Sequence, residues 1–130
     1  MFEPLFKERP NLQEWINEKI IPIEGDLALK GLGLNPELRQ KLIKEVEIVL
    51  NNAASVNFME PLRDALNINY LGPLRLLDLV HECEKIVCMV HVSSAYVNCN
   101  QKSDSLIPEK LLDLTVEPEE YISKLLAMNP

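Results

Sequence analysis

The sequence predicts an α/β fold, and three features of the chain indicate it. Two short apolar runs rich in β-branched residues, residues 47–50 and 86–92, are typical of strands, and the second is apolar enough to predict burial on both faces. A long helical pattern over residues 60–84 lies between them. A strand, a helix and a strand in that order predict a right-handed parallel βαβ unit.

The N-terminal part of the chain predicts a short helix followed by a third strand. Asn11 is placed to cap a helix over residues 12–17, with Trp15 and Ile16 facing inward. Residues 19–23 are β-branched but include Pro22, which has no N–H to donate to a sheet. An edge strand or the beginning of a strand is therefore expected there, rather than a central strand.

The next helix has the clearest start signal in the chain. After a glycine-containing loop over residues 28–34, Asn35 is a good N-cap and Pro36 suits the first helical position. We expect this helix to run to about Lys44. The side chains expected to face inward are Leu38, Leu42 and Ile43.

Pro73 interrupts the long central helix. Because Pro73 cannot donate to the carbonyl of Asn69, a kink is expected there. Asn69 lies on the apolar stripe, where it is either a buried structural hydrogen-bonding residue, which the pattern favours, or a neighbour of an active site. The stripe consists of Leu62, Leu66, Asn69, Leu77 and Val80, with Leu74 beside it.

The C-terminal part predicts a loop and one more helix. Residues 99–115 are expected to form the loop, with a turn of helix at 109–112, and residues 116–128 the helix, with Pro118 near its start.

Composition narrows the class of function. The 130 residues suffice for one small domain, and a net charge of −7 without a basic patch makes nucleic acid an unexpected partner. The N-terminus has no apolar signal-peptide core, and no apolar run approaches the roughly 18 residues of a membrane span. A single intracellular domain is therefore expected.

The cysteines predict a reducing environment rather than a disulfide framework. Cys83, Cys88 and Cys99 are odd in number and include no Cys-x-x-Cys pair. Cys83 and Cys88 with His91 lack the spacing of a metal site, so no metal is expected.

Each strand of the predicted βαβ unit ends in a small polar cluster. Asn-Asn-Ala-Ala follows the first, at residues 51–54, and Ser-Ser-Ala-Tyr the second, at 93–96. Each cluster alone could be a turn, or hydroxyls that end a strand by bonding local backbone. Together they predict a cofactor cleft, because ligands of open α/β sheets bind beyond the carboxyl ends of the strands.

An ordered series of motifs extends this prediction. It consists of P-L-F at residues 4–6, K-I-I-P-I-E-G-D-L at 19–27, G-L-N-P-E at 33–37, N-N-A-A-S-V-N-F at 51–58, P-L-R-x-A-L-x-I-N-x-x-G at 61–72 and V-H-V-S-S-A-Y-V-N at 90–98. The series resembles the fatty acyl-CoA reductases of the male-sterility type, within the extended short-chain dehydrogenase/reductases. Thioester-reductase domains share parts of it.

The resemblance implies a single partial NAD(P)-binding domain over residues 1–130. The expected fold is a partial Rossmann-like three-layer unit of about three mostly parallel strands with helices, lacking the first two strands of the full fold. The strand at residues 47–50 should pair with that at 86–92, and the place of 19–23 stays open. Exposed edges and a half-covered apolar surface predict self-association.

The resemblance also implies an oxidoreductase of lipid metabolism. It would transfer hydride from NADPH to a fatty acyl-CoA, giving an aldehyde and then an alcohol, at a peroxisomal or endoplasmic-reticulum membrane in the parent family. Asp26 and Leu27 match positions beside the adenine. Ala53, Ala54 and Ser93 match strand-end positions along the cofactor.

Two further residues match the catalytic pattern of the family. Ser94 matches the hydroxyl that bonds the substrate carbonyl, and Asn69 matches the asparagine that supports the active site. Asn51 and Asn52 stand where the family usually has histidine and a small residue, so their roles stay open. Pro73 replaces a usual threonine.

Two family features are missing from this sequence. It has no glycine-rich loop after a first strand and no Tyr-x-x-x-Lys, since Tyr121 and Lys124 are three positions apart and Tyr96 has no lysine four positions later. We therefore expect a fragment that is inert alone. The alternatives are a non-catalytic interaction module and a thioester reductase acting on carrier-bound acyl chains.

Overall fold

The computed structural model describes residues 11–110 and 114–128 as a mixed α/β unit. Its regular elements in chain order are α1 (Leu12–Lys19), α2 (Pro36–Glu45), β1 (Ile48–Asn51), α3 (Leu62–Leu66), a π-turn (Asn67–Leu71), α4 (Gly72–Glu82), β2 (Cys88–His91) and α5 (Pro118–Ala127). Two 3₁₀ turns, Lys30–Gly33 and Ala95–Asn98, complete it. Within these residues, no helix is long and apolar enough to cross a lipid bilayer.

β1 and β2 form a parallel two-stranded sheet. Ile48 pairs with Cys88, and Asn51 pairs with His91 at the far end of the ladder. The helical segment between the strands makes this the predicted parallel unit, and the partial Rossmann-like α/β class is confirmed.

The predicted third strand at residues 19–23 is wrong. α1 continues to Lys19, and the N–H of Ile20 donates to the carbonyl of Ile16 at 2.8 Å, so the run begins as the end of a helix. Ile20 itself is extended, but residues 20–23 have no strand partner in the described chain. Pro22 can donate nothing to a ladder, which is the physical reason against a central strand here.

The core lies between the loop before α2, α2 itself and α4. Its buried centre is formed by Leu32, Ile43 and Leu79. Leu32 has a left-handed backbone, with φ of 62°, between Gly31 and Gly33. This conformation costs a leucine on the order of 1 kcal/mol, and burial of its side chain offsets that cost.

α2 begins where the sequence predicts it. The side chain of Asn35 accepts a hydrogen bond from the N–H of Leu38 at 2.8 Å, and Pro36 is the first helical residue. Ile43 is buried and Leu38 and Leu42 are half-buried, as predicted. In α1, by contrast, Leu12 is the buried residue and Trp15 is 53% exposed, so the predicted inward Trp15 is wrong.

The long central helix is broken one turn before Pro73. A five-residue π-turn, Asn67–Leu71, separates α3 from α4, as expected where proline removes a donor to Asn69. The predicted stripe is only partly covered. Val80 is buried and Leu66 and Leu77 are half-buried, whereas Leu62 and Leu74 are 59% and 42% exposed.

β2 is not buried on both faces, contrary to the sequence prediction. Val90 is 45% exposed, and its neighbour Leu50 on β1 is 70% exposed, whereas Val49 and Met89 on the other side are half-buried. Alternate residues along the two strands therefore differ in exposure, and complete burial of β2 is not observed.

The C-terminal helix is close to its predicted position. α5 spans Pro118–Ala127, and the guanidinium of Arg63 in α3 donates to the carbonyl of Leu126. Residues 111–113 lie outside the described chain, and with them part of the turn of helix expected at 109–112.

Candidate functional site

The two polar clusters leave the sheet side by side. β1 and β2 are parallel and end on the pair Asn51 and His91, and the N–H of Val92 donates to the carbonyl of Asn51 at 2.9 Å. Residues 52–54 and 93–96 therefore begin at the same edge, as the sequence predicts for the carboxyl ends of neighbouring parallel strands.

The side chain of Asn51 connects the ends of β1 and β2 at this edge. It is only 2% exposed, its Oδ1 accepts from the N–H of Ala53 at 3.3 Å, and its Nδ2 lies 3.0 Å from Nδ1 of His91. Because Oδ1 is used by Ala53, Nδ2 is the donor and His91 Nδ1 the acceptor, which places the imidazole proton on Nε2. Sequence reasoning left Asn51 open; its position at a strand end was the available signal.

Asn69 holds the loop that follows β1. Its Oδ1 accepts from the N–H of Ser55 at 2.8 Å, and its Nδ2 donates to the carbonyl of Ser55 at 2.9 Å. The side chain is exposed, so the favoured interpretation as a buried residue is wrong, although a hydrogen-bonding role is what the structure shows. The π-turn presents Asn69 away from the apolar face.

Ser94 combines a turn-forming contact with an available proton. Its Oγ accepts from the N–H of Tyr96 at 3.2 Å at the start of the 3₁₀ turn Ala95–Asn98. A hydroxyl can accept and donate at once, so the Ser94 proton can still be donated to a ligand. Ser93 and Ser94 are both exposed.

An aromatic contact joins the two loops beyond the strands. The rings of Phe58 and Tyr96 meet edge to face, with centroids 5.7 Å apart and planes at 78°. The loop that carries Ala53 and Ala54 therefore contacts the loop that carries Ser94.

Asp26 and Leu27 lie in a separate loop before α2. Oδ1 of Asp26 accepts from the N–H of Ala28 at 2.7 Å. Asp26 is exposed, so the second carboxylate oxygen, Oδ2, can accept a hydrogen bond from a ligand. Beside them is an apolar cavity of about 250 Å³. It is lined by Gly25, Asp26, Leu27, Leu32, Leu34, Leu42, Leu76 and Leu79.

Arg75 in α4 fastens this loop to the central helix. Its Nη1 donates to the carbonyls of Leu27 at 2.7 Å and Asn67 at 3.0 Å, and its Nη2 donates to Oδ1 of Asn67 at 2.7 Å. Sequence reasoning did not single out Arg75. The signal that could have found it is a charged side chain one turn after a helix break.

The shifted ionisable groups lie at the other end of α4. Arg39 and Glu82 form two hydrogen bonds of 2.6 and 2.8 Å, and the bond from Arg39 lowers the pKa of the Glu82 carboxyl. Burial raises the pKa of the Cys83 thiol. No cluster of three metal-binding side chains occurs in the stretches 11–110 and 114–128.

The candidate groups lie in two separate places, the loop before α2 and the strand ends. The Asp26 carboxylate can accept a hydrogen bond from a ligand, and the Ser94 hydroxyl can donate one to a ligand carbonyl. Ala53 and Ala54 are small enough to allow close approach to a ligand. Gly31 and Gly33 lie before α2, but no strand leads into them within residues 11–30, unlike the strand-to-helix glycine turn that holds a pyrophosphate.

Comparison with known proteins gives one family. The model of the male sterility protein family, a family of NAD-binding domains, matches residues 2–125. Fatty acyl-CoA reductase 8 of Arabidopsis thaliana is 41% identical over 100 residues, which are 76% of this chain and 20% of that protein. Fatty acyl-CoA reductase 1 of Xenopus laevis is 34% identical over 125 residues, 96% of this chain and 23% of that protein. The chain thus spans about a fifth of these relatives' length.

Proposed function

We propose a function for this chain from the premise that it belongs to the male sterility protein family of NAD-binding domains, as the motif series predicts. The chain forms the part of a fatty acyl-CoA reductase that holds two ends of the nicotinamide cofactor and binds the substrate carbonyl. The observation that carries this proposal is the exposed Ser94 hydroxyl, free to donate, beside a second strand end with small residues.

Ser94 is the residue proposed to act on the substrate. When bound, the nicotinamide supplies hydride to a carbonyl carbon. Ser94 donates its proton in a hydrogen bond to the carbonyl oxygen, which stabilises the negative charge that develops there. Its Oγ is fixed by the N–H of Tyr96, so the donor is oriented before substrate arrives.

The remaining site residues are proposed to bind and position. Asp26 accepts from the adenosine end of the cofactor, with Leu27 beside the adenine, and Ala53, Ala54 and Ser93 line its path. Asn69 fixes the loop through Ser55 and touches no reacting atom. The choice of NADPH over NADH rests on the family resemblance.

We propose that the chain is a single partial domain, inert alone. It spans about a fifth of the length of its curated relatives, and its sequence contains neither the phosphate-binding glycine loop nor Tyr-x-x-x-Lys. A complete reductase needs a proton donor beside Ser94, and we place that donor outside these 130 residues.

Two properties of the chain support further parts of this proposal. The three cysteines, Cys83, Cys88 and Cys99, are free thiols, which supports a reducing intracellular compartment. The uncovered sheet face around Leu50 and Val90 supports self-association of the isolated chain.

A chimera tests the proposed function. The 130 residues replace the matching segment of the Xenopus laevis reductase, and oxidation of NADPH is followed by absorbance with palmitoyl-CoA. We expect turnover in the chimera and none in the isolated chain. Ser94→Ala should lower kcat of the chimera about 100-fold or more, because one oxyanion donor is lost.

A matched serine provides the control. Ser105→Ala removes an exposed hydroxyl from the loop after Asn98 and should leave turnover unchanged. A folded chimera that binds NADPH but does not turn over would overturn the proposal and favour a non-catalytic interaction module. Turnover by the isolated chain that disappears in Ser94→Ala would overturn its inertness.

A further inference from the structure

The side chain of Arg75 in α4 hydrogen-bonds two other segments of the chain, the loop with Leu27 and the turn with Asn67. It is half-buried, and its guanidinium donates to three acceptors: the carbonyls of Leu27 and Asn67 and the side-chain oxygen of Asn67. All three acceptors are neutral, and no ion pair of Arg75 occurs among the residues described. Hydrogen bonds from a charged group are stronger than those between neutral groups, and these three are part-buried, so Arg75 links the two segments firmly.

Two more contacts reinforce the same link. The side chain of Asn67 donates to the carbonyl of Ala28 at 3.4 Å. The missing side chain of Gly72 lets α4 approach Leu27 so closely that a Cβ there would lie 3.0 Å from the Cβ of Leu27. The loop with Asp26 and Leu27 is thus joined to the start and the end of the π-turn.

The same π-turn holds the other end of the site. Asn69 lies two residues after Asn67 in this five-residue turn, and both polar atoms of its side-chain amide bond the backbone of Ser55. Asn67 and Asn69 are separated by one residue within the same short backbone segment, so a change of backbone conformation at Asn67 alters the position of Asn69. A displacement at Asn67 therefore reaches Ser55 through Asn69.

We propose that Arg75 is a positioning residue that couples the loop of Asp26 and Leu27 to the turn of Asn69, so that ordering either end of the site orders the other. The coupling is a property of this chain, whereas its use by a bound dinucleotide rests on the proposed function. The planar fork of arginine is required, since lysine offers one centre and cannot reach the three acceptors together.

Amide hydrogen exchange of the 130-residue chain without ligand tests the coupling. Two amides report it: Ala28 N–H, bonded to Asp26, and Ser55 N–H, bonded to Asn69. In Arg75→Met both should exchange about tenfold faster, while the buried core residue Leu79 is unchanged. Arg75→Lys should give intermediate rates at both amides.

Arg39→Met is the matched control, because it removes another arginine that binds α4 through Glu82 without touching the π-turn. It should leave Ser55 unchanged. Faster exchange at Ala28 alone would overturn the inference, since Arg75 would then anchor only its own loop. Equal acceleration at Leu79 would also overturn it, since Arg75 would then stabilise the whole fold. If Arg75→Met does not fold, exchange of the same two amides is measured in Asn67→Ala. This variant keeps the charge of Arg75 but removes one of its acceptors, the side-chain oxygen of Asn67.

A second arm adds NADPH in excess. In the natural chain, protection at Ala28 should be accompanied by protection at Ser55, and in Arg75→Met by none at Ser55. Absence of any change with NADPH would count against the proposed cofactor function, while the exchange rates without ligand still decide the coupling.

Discussion

At the residue scale, polar side chains at this site mainly hold backbone. Asn51 bonds Ala53, Asn69 bonds Ser55, and Ser94 bonds Tyr96. Each stabilises a loop that follows a strand. In these loops the backbone N–H and C=O groups no longer form hydrogen bonds with a neighbouring strand. The loops that carry the candidate chemistry are therefore shaped by side chains within and beside them.

Substitution of Asn69 should show how much of this order one side chain provides. Asn69→Ala removes both bonds to Ser55 and should lower the free energy of unfolding by about 1 kcal/mol, because water replaces part of an exposed contact. Asn69→Asp keeps the acceptor for the Ser55 N–H but has no donor for the Ser55 carbonyl. Its free energy of unfolding should therefore fall by less than that of Asn69→Ala. Urea titration followed by circular dichroism measures both.

Asn57→Ala is the comparison for that experiment. The side chain of Asn57 accepts a single bond, from the N–H of Met59 at 3.1 Å in an exposed loop. A cost for Asn69→Ala no larger than that of Asn57→Ala would contradict a special role for Asn69.

At the element scale, the break in the central helix positions both halves of the site. Pro73 prevents a regular ladder back to Asn69, and the π-turn that results presents Asn69 to the loop after β1. Gly72, immediately after the turn, allows α4 to lie against Leu27. In this pair, Pro73 therefore interrupts the helix, and Gly72 allows the close packing of α4 against Leu27.

Gly72→Ala tests this packing. Alanine should gain up to about 1 kcal/mol in helix propensity, but its Cβ would lie 3.0 Å from that of Leu27, and overpacking costs about 1–3 kcal/mol. We expect a net loss of about 1 kcal/mol in the free energy of unfolding, measured by thermal and urea denaturation.

A double-mutant cycle identifies the cause. If the clash with Leu27 is responsible, Gly72→Ala should cost less in a Leu27→Ala background than in the natural sequence. Equal costs in the two backgrounds, or a more stable Gly72→Ala, would show that the close approach is not limiting.

At the scale of the whole molecule, the chain buries little for its size. It exposes 11239 Å², whereas a compact monomer of 14.8 kDa exposes about 7000 Å². The exposed side chains include those of the sheet face with Ile48, Leu50 and Val90, which are 58%, 70% and 45% exposed. Such a surface is typical of a unit that another protein surface covers.

Self-association of the isolated chain should depend on that face. Leu50→Lys places a charge at its centre and should shift the sedimentation coefficient towards that of a monomer. Gln40→Lys adds the same charge on an exposed position of α2 and should not. A monomeric natural chain, or equal effects of the two lysines, would contradict self-association through the sheet.

Local sequence signals predict several of the elements, and the motif series predicts the family. Asn35 and Pro36 predict the start of α2, Pro73 predicts the break in the central helix, and the motif series predicts the male sterility family. These features depend on a residue and its near neighbours along the chain, so a linear pattern is enough to identify them.

Tertiary structure alone decided which surfaces are covered and which polar groups meet. Arg75 bonds Leu27 across 48 positions, Asn51 bonds His91 across 40, and Trp15 and Val90 are exposed although their patterns predict burial. Burial and hydrogen-bond partners depend on residues far apart in sequence. A helix or strand pattern shows that a face is apolar, and only the packed fold determines whether anything lies against it.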